Sequence, residues 1–109
     1  IHEASHLKFF LVEDVAPMVI TPDPPRFEVP WRSDRRPLRA VLMGLHAWVR
    51  ILEWLDTLDG GHYAQAARER AALLSQATLA ASAIVRGADG LTPSGDALVE
   101  ALCHRVQDR

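Results

Sequence analysis

The chain has 109 residues, of which 49% are hydrophobic and 24% are charged, as in one globular domain or part of a larger one. Its 12 basic and 14 acidic residues give a formal charge of −2, which argues against nucleic acid and a membrane surface as partners. The single cysteine, Cys103, excludes an internal disulfide framework and a cysteine-built zinc site.

The hydrophobic pattern predicts a mainly α-helical fold with four helices and one irregular connection. The first predicted helix covers residues 1 to about 14, where apolar residues recur at helical spacing: Ala4, Leu7, Phe10 and Leu11. Six prolines between residues 17 and 37 exclude a helix there. This connection has room for two short edge strands, at 18–21 and 26–29.

Three further helices are predicted after the connection. The second covers 37–58, carries a broad apolar face and is stopped by a Gly-Gly pair. The third covers 62–86 and is rich in alanine and leucine, both strong helix formers. The fourth covers 92–107, with Thr92 as its N-cap and Pro93 at the first helical position.

The start of the chain bears on its domain organisation. Ile1 directly precedes a histidine with metal-binding potential, and no N-cap residue precedes the first predicted helix. We therefore expect residues 1–109 to be the C-terminal part of a single catalytic domain, with an N-terminal part missing.

The first helix carries an H-E-x-x-H motif at residues 2–6. Positions i and i+4 lie one turn apart on the same face, so His2 and His6 can share one divalent metal ion. In metallopeptidases the glutamate of this motif, here Glu3, is the general base that acts on metal-bound water. Apolar residues at 9–11 favour a substantially buried helix over a solvated one with two surface histidines.

A third ligand is sought on the second helix. At 100° per residue, one polar stripe borders its apolar face: Arg39, His46, Arg50, Glu53 and Thr57. A His-His-Glu set completed by Glu53 suits zinc in a hydrolase, or iron(II) in a 2-His-1-carboxylate site. The alternative is a solvated stripe in which Arg50 and Glu53 pair at i, i+3.

The connection also contains three arginines and a tryptophan within P-W-R-S-D-R-R-P, at residues 30–37. Because arginine binds carboxylates in a bidentate manner, this segment indicates anion recognition. The alternative is a solvated turn in which Asp34 screens its neighbours and Trp31 is packed.

Together, these motifs resemble a bacterial family of HExxH-motif peptide-modification proteins, described as 2-oxoglutarate-dependent peptide β-hydroxylases. The resemblance runs in order through most of the chain. It comprises the HExxH helix, the P-W-R-x-D-x-R-P segment, a G-x-x-A-[FW] stretch, an acidic residue and the L-T-P-x-G start of the last helix. The residues concerned are His2 to His6; Pro30, Trp31, Arg32, Asp34, Arg36 and Pro37; Gly44, Ala47 and Trp48; Glu53; and Leu91, Thr92, Pro93 and Gly95.

The resemblance implies a cytoplasmic oxidoreductase, a dioxygenase with iron(II) bound by His2 and His6. It implies 2-oxoglutarate and O₂ as co-substrates and hydroxylation at a β-carbon of a peptide, as in the maturation of peptide natural products. Arg32 and Arg36 become candidates to bind the 2-oxoglutarate carboxylates, and Arg50 joins them as a cofactor-binding candidate. Where this chain has His46 the family more commonly has an aromatic residue, so Glu53 and His46 both remain candidates for the third ligand.

Two other functions remain open from the sequence. One is a zincin-type zinc metallopeptidase, with Glu3 as general base and Glu53 as third ligand. The other is a helical interaction module in which the metal-binding motif is accidental.

Overall fold

The computed structural model describes residues 2–58 and 60–107, with side chains described over 4–58 and 60–107. This part of the chain is mainly helical, as the sequence predicts. Its α-helices are α1 (His2–Val15), α2 (Leu38–Asp56), α3 (Ala64–Arg86) and α4 (Pro93–Gln107). None of the helices in the described ranges has the length and apolar character needed to cross a bilayer.

The turn between α2 and α3 is longer than predicted. Helix α2 ends at Asp56, two residues before its predicted end, and α3 begins at Ala64, two residues after its predicted start. Thr57 caps α2 with its backbone N–H bonded to carbonyls of the last turn, and its hydroxyl bonds to the Trp54 carbonyl at 2.6 Å. Gly60 has a φ of 83°, in the left-handed region that glycine adopts without strain. The Gly-Gly pair therefore lies between the end of α2 and the start of α3, as predicted for a helix stop.

The two edge strands predicted in the proline-rich connection are wrong. Over the described residues, each place holds one isolated antiparallel bridge, Val19 with Leu91 and Phe27 with Arg36. Proline has no backbone N–H, so the prolines spaced through this connection prevent a bridge from extending into a ladder. The connection is instead held by side chains and by these single bridges.

Helix α2 is the centre of the fold because it packs against each of the other three helices. Its apolar stripe is buried almost completely: Leu38, Val41, Leu42, Leu45, Ala47, Val49, Leu52 and Leu55. Full burial of one such aliphatic side chain stabilises a fold by about 1.5–3 kcal/mol. The polar stripe that borders this face is consequently fixed in orientation toward α1 and α4.

The side of helix α1 that packs against the core is not the side predicted from its apolar spacing. Leu7 and Leu11 are 60% and 58% exposed, whereas Ser5 and Phe9 are 3% and 2% exposed. The expectation of a substantially buried helix is therefore wrong for most of its apolar residues. Phe9 contacts the core between the helices, and one large buried aromatic outweighs several partly covered aliphatic side chains.

The start of α2 is capped by a residue that lies about 15 positions earlier in the sequence. Pro37 precedes the helix and provides no side-chain hydrogen bond, so its first N–H groups need another acceptor. The carboxylate of Asp23 accepts both, from the N–H of Leu38 at 3.0 Å and from that of Arg39 at 2.8 Å. A negative charge at a helix N-terminus also interacts favourably with the helix dipole. Asp23 therefore anchors the proline-rich connection to α2.

The start of α4 is tied to the segment that follows α1. Thr92 caps the helix, because its Oγ1 accepts the N–H of Gly95 at 3.1 Å, and the same hydroxyl donates to the Pro17 carbonyl. The N–H of Thr92 bonds to the Met18 carbonyl at 3.0 Å. A Cβ on Gly95 would lie 2.1 Å from that carbonyl oxygen, so only glycine fits there. The L-T-P-x-G motif thus forms a structural junction.

Candidate functional site

Helices α1 and α2 run antiparallel along the face that carries the predicted metal ligands. Near the end of α1, Glu13 accepts hydrogen bonds from Nε of Arg39 near the start of α2, at 2.9 and 3.0 Å. Earlier in α1, the Phe9 ring lies 6.1 Å from the His46 ring between centroids, further along α2. This register brings the HExxH end of α1 toward the second half of α2.

The HExxH motif is only partly described. His2 begins α1, but the side chains of His2 and Glu3 lie outside the described residues. His6 is half-buried, and its charge acts on His46 across the α1–α2 contact. The structure therefore places His6 and His46 on two helices that pack against each other. Within the described side chains, no three histidine, cysteine, aspartate or glutamate residues form a metal-binding group.

His46 has an unusual environment for an imidazole. Its Nδ1 is buried and has no hydrogen-bond partner among the described residues. A buried polar atom without a partner costs about 1–3 kcal/mol, so this nitrogen is poised to accept a ligand. Burial lowers the pKa of His46 below its ordinary value, and the nearby charges of Arg50, Arg105, Lys8 and His6 lower it further. The neutral imidazole, which binds metals, is thereby favoured.

Glu53, the other predicted third ligand, has a partner in the structure. Arg105 on α4 donates from Nε to Oε2 at 2.9 Å and from a terminal nitrogen to Oε1, in a bidentate pair. Both carboxylate oxygens of Glu53 are engaged in this pair. The i, i+3 pair with Arg50 that the sequence offered as an alternative does not occur among the described ion pairs. Sequence reasoning missed Arg105, because the pairing joins two helices.

The predicted cofactor-binding arginines of the connection share a carboxylate. Arg32 Nε lies 2.9 Å from Asp34 Oδ1, and an Arg36 nitrogen lies 3.6 Å from Asp34 Oδ2. The hydrogen bond from Arg32 holds the pKa of Asp34 below its usual range. Trp31 packs edge-on against Trp48, with ring centroids 4.6 Å apart. These contacts match the alternative of a packed tryptophan and a screened turn.

Arg50 occupies a different setting from the arginines of the connection. It follows His46 by one helical turn on α2, is half-buried and is one of the charges that act on His46. Among the described residues no carboxylate is in ion-pair contact with its guanidinium. Of the three predicted cofactor-binding arginines, Arg50 is the one whose charge lowers the pKa of His46 among the described residues.

A cleft of about 330 Å³ opens beside His46, between α1, α4 and the segment after α1. Its lining is mostly apolar, with two basic side chains: Lys8, Phe9, Val12, Met18, His46 and Leu98. Clefts of this size, apolar with a few convergent polar groups, are typical of small-ligand sites. Sequence reasoning missed Lys8, Met18 and Leu98, since no motif links the three parts of the chain that carry them.

Comparison with known proteins adds no family to this geometry. A scan against known protein families finds no match to the chain, and a search of curated proteins finds no relative. The resemblance stated above therefore rests on the motifs quoted for it, and the function is argued from the site.

Proposed function

We propose that this protein is a cytoplasmic iron(II)- and 2-oxoglutarate-dependent dioxygenase that hydroxylates a β-carbon in a peptide during peptide natural-product maturation. The observation that supports the proposal best is the unpartnered Nδ1 of His46, buried opposite the HExxH helix. A buried imidazole nitrogen that has no hydrogen-bond partner is suited to a metal ion. The resemblance of the motifs supplies the reaction class.

In this proposal His2, His6 and His46 hold the iron, and His46 replaces Glu53, the third ligand that the sequence favoured. Its ring is available, whereas the carboxylate of Glu53 is bound by Arg105. Three neutral imidazoles are suitable ligands for iron(II). The bound metal would supply the oxygen chemistry that protein side chains lack. Glu3 has no required proton-transfer role here.

The charges around His46 suit an anionic co-substrate. The groups that lower its pKa after burial are Arg50, Arg105, Lys8 and His6, and none of them is acidic. Arginine binds carboxylates through paired N–H donors, so Arg50 is the proposed partner of 2-oxoglutarate. Phe9, Val12 and Leu98 give the cleft beside His46 an apolar surface that suits the methylene groups of 2-oxoglutarate.

The decisive experiment is anaerobic reconstitution of the protein with iron(II) and 2-oxoglutarate, followed by O₂ and a candidate peptide library. We expect succinate in step with peptides that gain one oxygen atom at a β-carbon. His46→Gln should abolish both products. His62→Gln is the matched control, because His62 is exposed in the turn before α3, away from the cleft, and this variant should keep both.

The alternative function is that of a zinc metallopeptidase, and the same experiment can reveal it. Stoichiometric zinc with peptide cleavage and no succinate would overturn the hydroxylase. In that case Glu3→Gln should abolish cleavage, because the glutamate would be the general base. In a hydroxylase the same variant should keep measurable succinate formation.

A further inference from the structure

The lining of the cleft beside His46 includes a cationic side chain that has no acidic partner among the described residues. Lys8 lies at the exposed rim of the cleft and is the only lysine in the sequence. No described carboxylate forms an ion pair with its ammonium. Other basic side chains of the chain do find acidic partners, such as Arg39 with Glu13 and Arg105 with Glu53.

The electrostatic setting of the cleft contrasts with that of the whole molecule. The chain has a formal charge of −2, yet Lys8 at the rim is basic, and so are Arg50 and Arg105, which act on His46. Arg105 is neutralised by Glu53, which leaves Lys8 and Arg50 without a described counter-ion. An anion that enters the cleft would gain a favourable interaction with this uncompensated positive charge.

The apolar residues that line the cleft indicate which kind of anion it suits. Phe9, Val12, Met18 and Leu98 supply an apolar surface that suits methylene groups, and about 330 Å³ accommodates a small molecule or one side chain. Lys8 contributes a flexible ammonium with three donors, suited to a carboxylate at the rim. A short aliphatic chain that ends in a carboxylate matches both features.

We propose that this cleft binds an aliphatic carboxylate, with Lys8 as its counter-ion at the rim and the apolar side chains of α1 and α4 around its methylene groups. Resting on the proposed function, the ligand is the distal carboxylate of 2-oxoglutarate or an acidic side chain of the peptide. Both sources share this chemistry, and Lys8 is a positioning residue for either. Neither the H-E-x-x-H motif nor the arginines of the connection assign this role.

Because Lys8 is the only lysine, its side chain can be observed alone. Metal-free protein labelled with ¹³C-lysine gives the side-chain signals of this one residue, without chemical modification. Titration with glutarate should shift its ε-carbon signal to saturation. The neutral diamide of glutarate should leave the signal unmoved. Binding isotherms from calorimetry should give the same affinity as the shift.

Variants test whether the charge of Lys8 is responsible. Lys8→Met should weaken glutarate binding about fivefold or more, in line with one rim ion pair, and Lys8→Arg should restore most of it. Arg70→Met is the matched control, because Arg70 is an exposed cation on α3 with no described ion pair. It should bind glutarate as the original protein does. Equal affinity in Lys8→Met would overturn the proposal.

Two further titrations separate the sources of the carboxylate. Binding of 2-oxoglutarate that depends on Lys8 supports the co-substrate, and Lys8-dependent binding of a capped aspartyl peptide supports the acidic side chain. Failure of both ligands to bind overturns the proposal. Since these measurements use metal-free protein, they remain independent of turnover. A protein that binds glutarate through Lys8 and forms no succinate would contradict the hydroxylase alone.

Discussion

Arg105 on α4 donates hydrogen bonds to both carboxylate oxygens of Glu53 on α2, and the two residues lie 52 positions apart in sequence. The two side chains are 39% and 37% exposed, so water screens their attraction. The pair nevertheless fixes the rotation of α4 relative to the polar stripe of α2. It also engages one of the two candidate third ligands.

Removal of either partner of this pair should lower the free energy of unfolding modestly. We expect about 1 kcal/mol for Arg105→Met or Glu53→Gln, the upper range for a screened pair. A double-mutant cycle in urea should return most of that value as coupling energy. Additive effects of the two substitutions would contradict the bidentate pair.

The third ligand can be identified from metal content. Under anaerobic conditions with iron(II), Glu53→Gln should retain close to the metal content of the original protein, because its carboxylate is committed to Arg105. His46→Gln should lose most of the iron, since it removes the unpartnered imidazole nitrogen. Elemental analysis after gel filtration measures both. Loss of iron from Glu53→Gln with retention in His46→Gln would reverse the assignment.

The close contact at the start of α4 predicts a steric penalty. In Gly95→Ala the new methyl group would sit 2.1 Å from the Met18 carbonyl oxygen, so α4 or the segment after α1 must move. We expect a loss of about 2 kcal/mol, within the range for overpacking. Gly87→Ala is the control, because its Cβ would be 3.5 Å from the nearest atom. Thermal unfolding of the two variants should differ clearly.

His46 predicts a dependence of stability on pH in the metal-free protein. Its pKa is lowered in the folded state, first by burial and then by the charges of Arg50, Arg105, Lys8 and His6. Below the ordinary histidine value of about 6.5 the unfolded chain therefore binds more protons than the folded one. Stability from this group is complete above that pH and is lost as the pH falls toward the folded pKa.

Urea unfolding with a chelator, at about pH 7.5 and about pH 5, measures this loss. Because the other histidines and the carboxylates also titrate, the comparison is between variants. His46→Gln should lose less stability between the two pH values than the original protein, and His62→Gln should lose as much. Identical losses in all three proteins would argue against a depressed pKa at His46.

Local patterns were enough to predict the four helices. The apolar stripe of α2, the Gly-Gly stop and the Thr92-Pro93 start each act over a few residues, so the sequence contains the information. The rotation of α1 was predicted wrongly, because burial of Phe9 depends on what α2 offers to it. The two edge strands failed because proline removes the donors that a ladder needs.

The candidate site was predictable only where one element contains the pattern. The i, i+4 spacing of the HExxH helix and the polar stripe of α2 singled out His6 and His46. Long-range pairing was not readable, and so Arg105 was missed as the partner of Glu53. The rim position of Lys8 likewise depends on how α1 and α4 each pack against α2, which no single segment specifies.

The junction at Thr92 determines how far the cleft can change shape. Phe9 and Val12 stand on one wall and Leu98 on the other, and both walls end at the same tie. There the hydroxyl and N–H of Thr92 bond to the carbonyls of Pro17 and Met18, and Ile20 N–H bonds to the Gly90 carbonyl at 2.7 Å. These bonds tether the two walls to each other at this end. A ligand of the cleft would therefore meet walls that are already joined, which reduces the free energy lost to ordering the protein on binding.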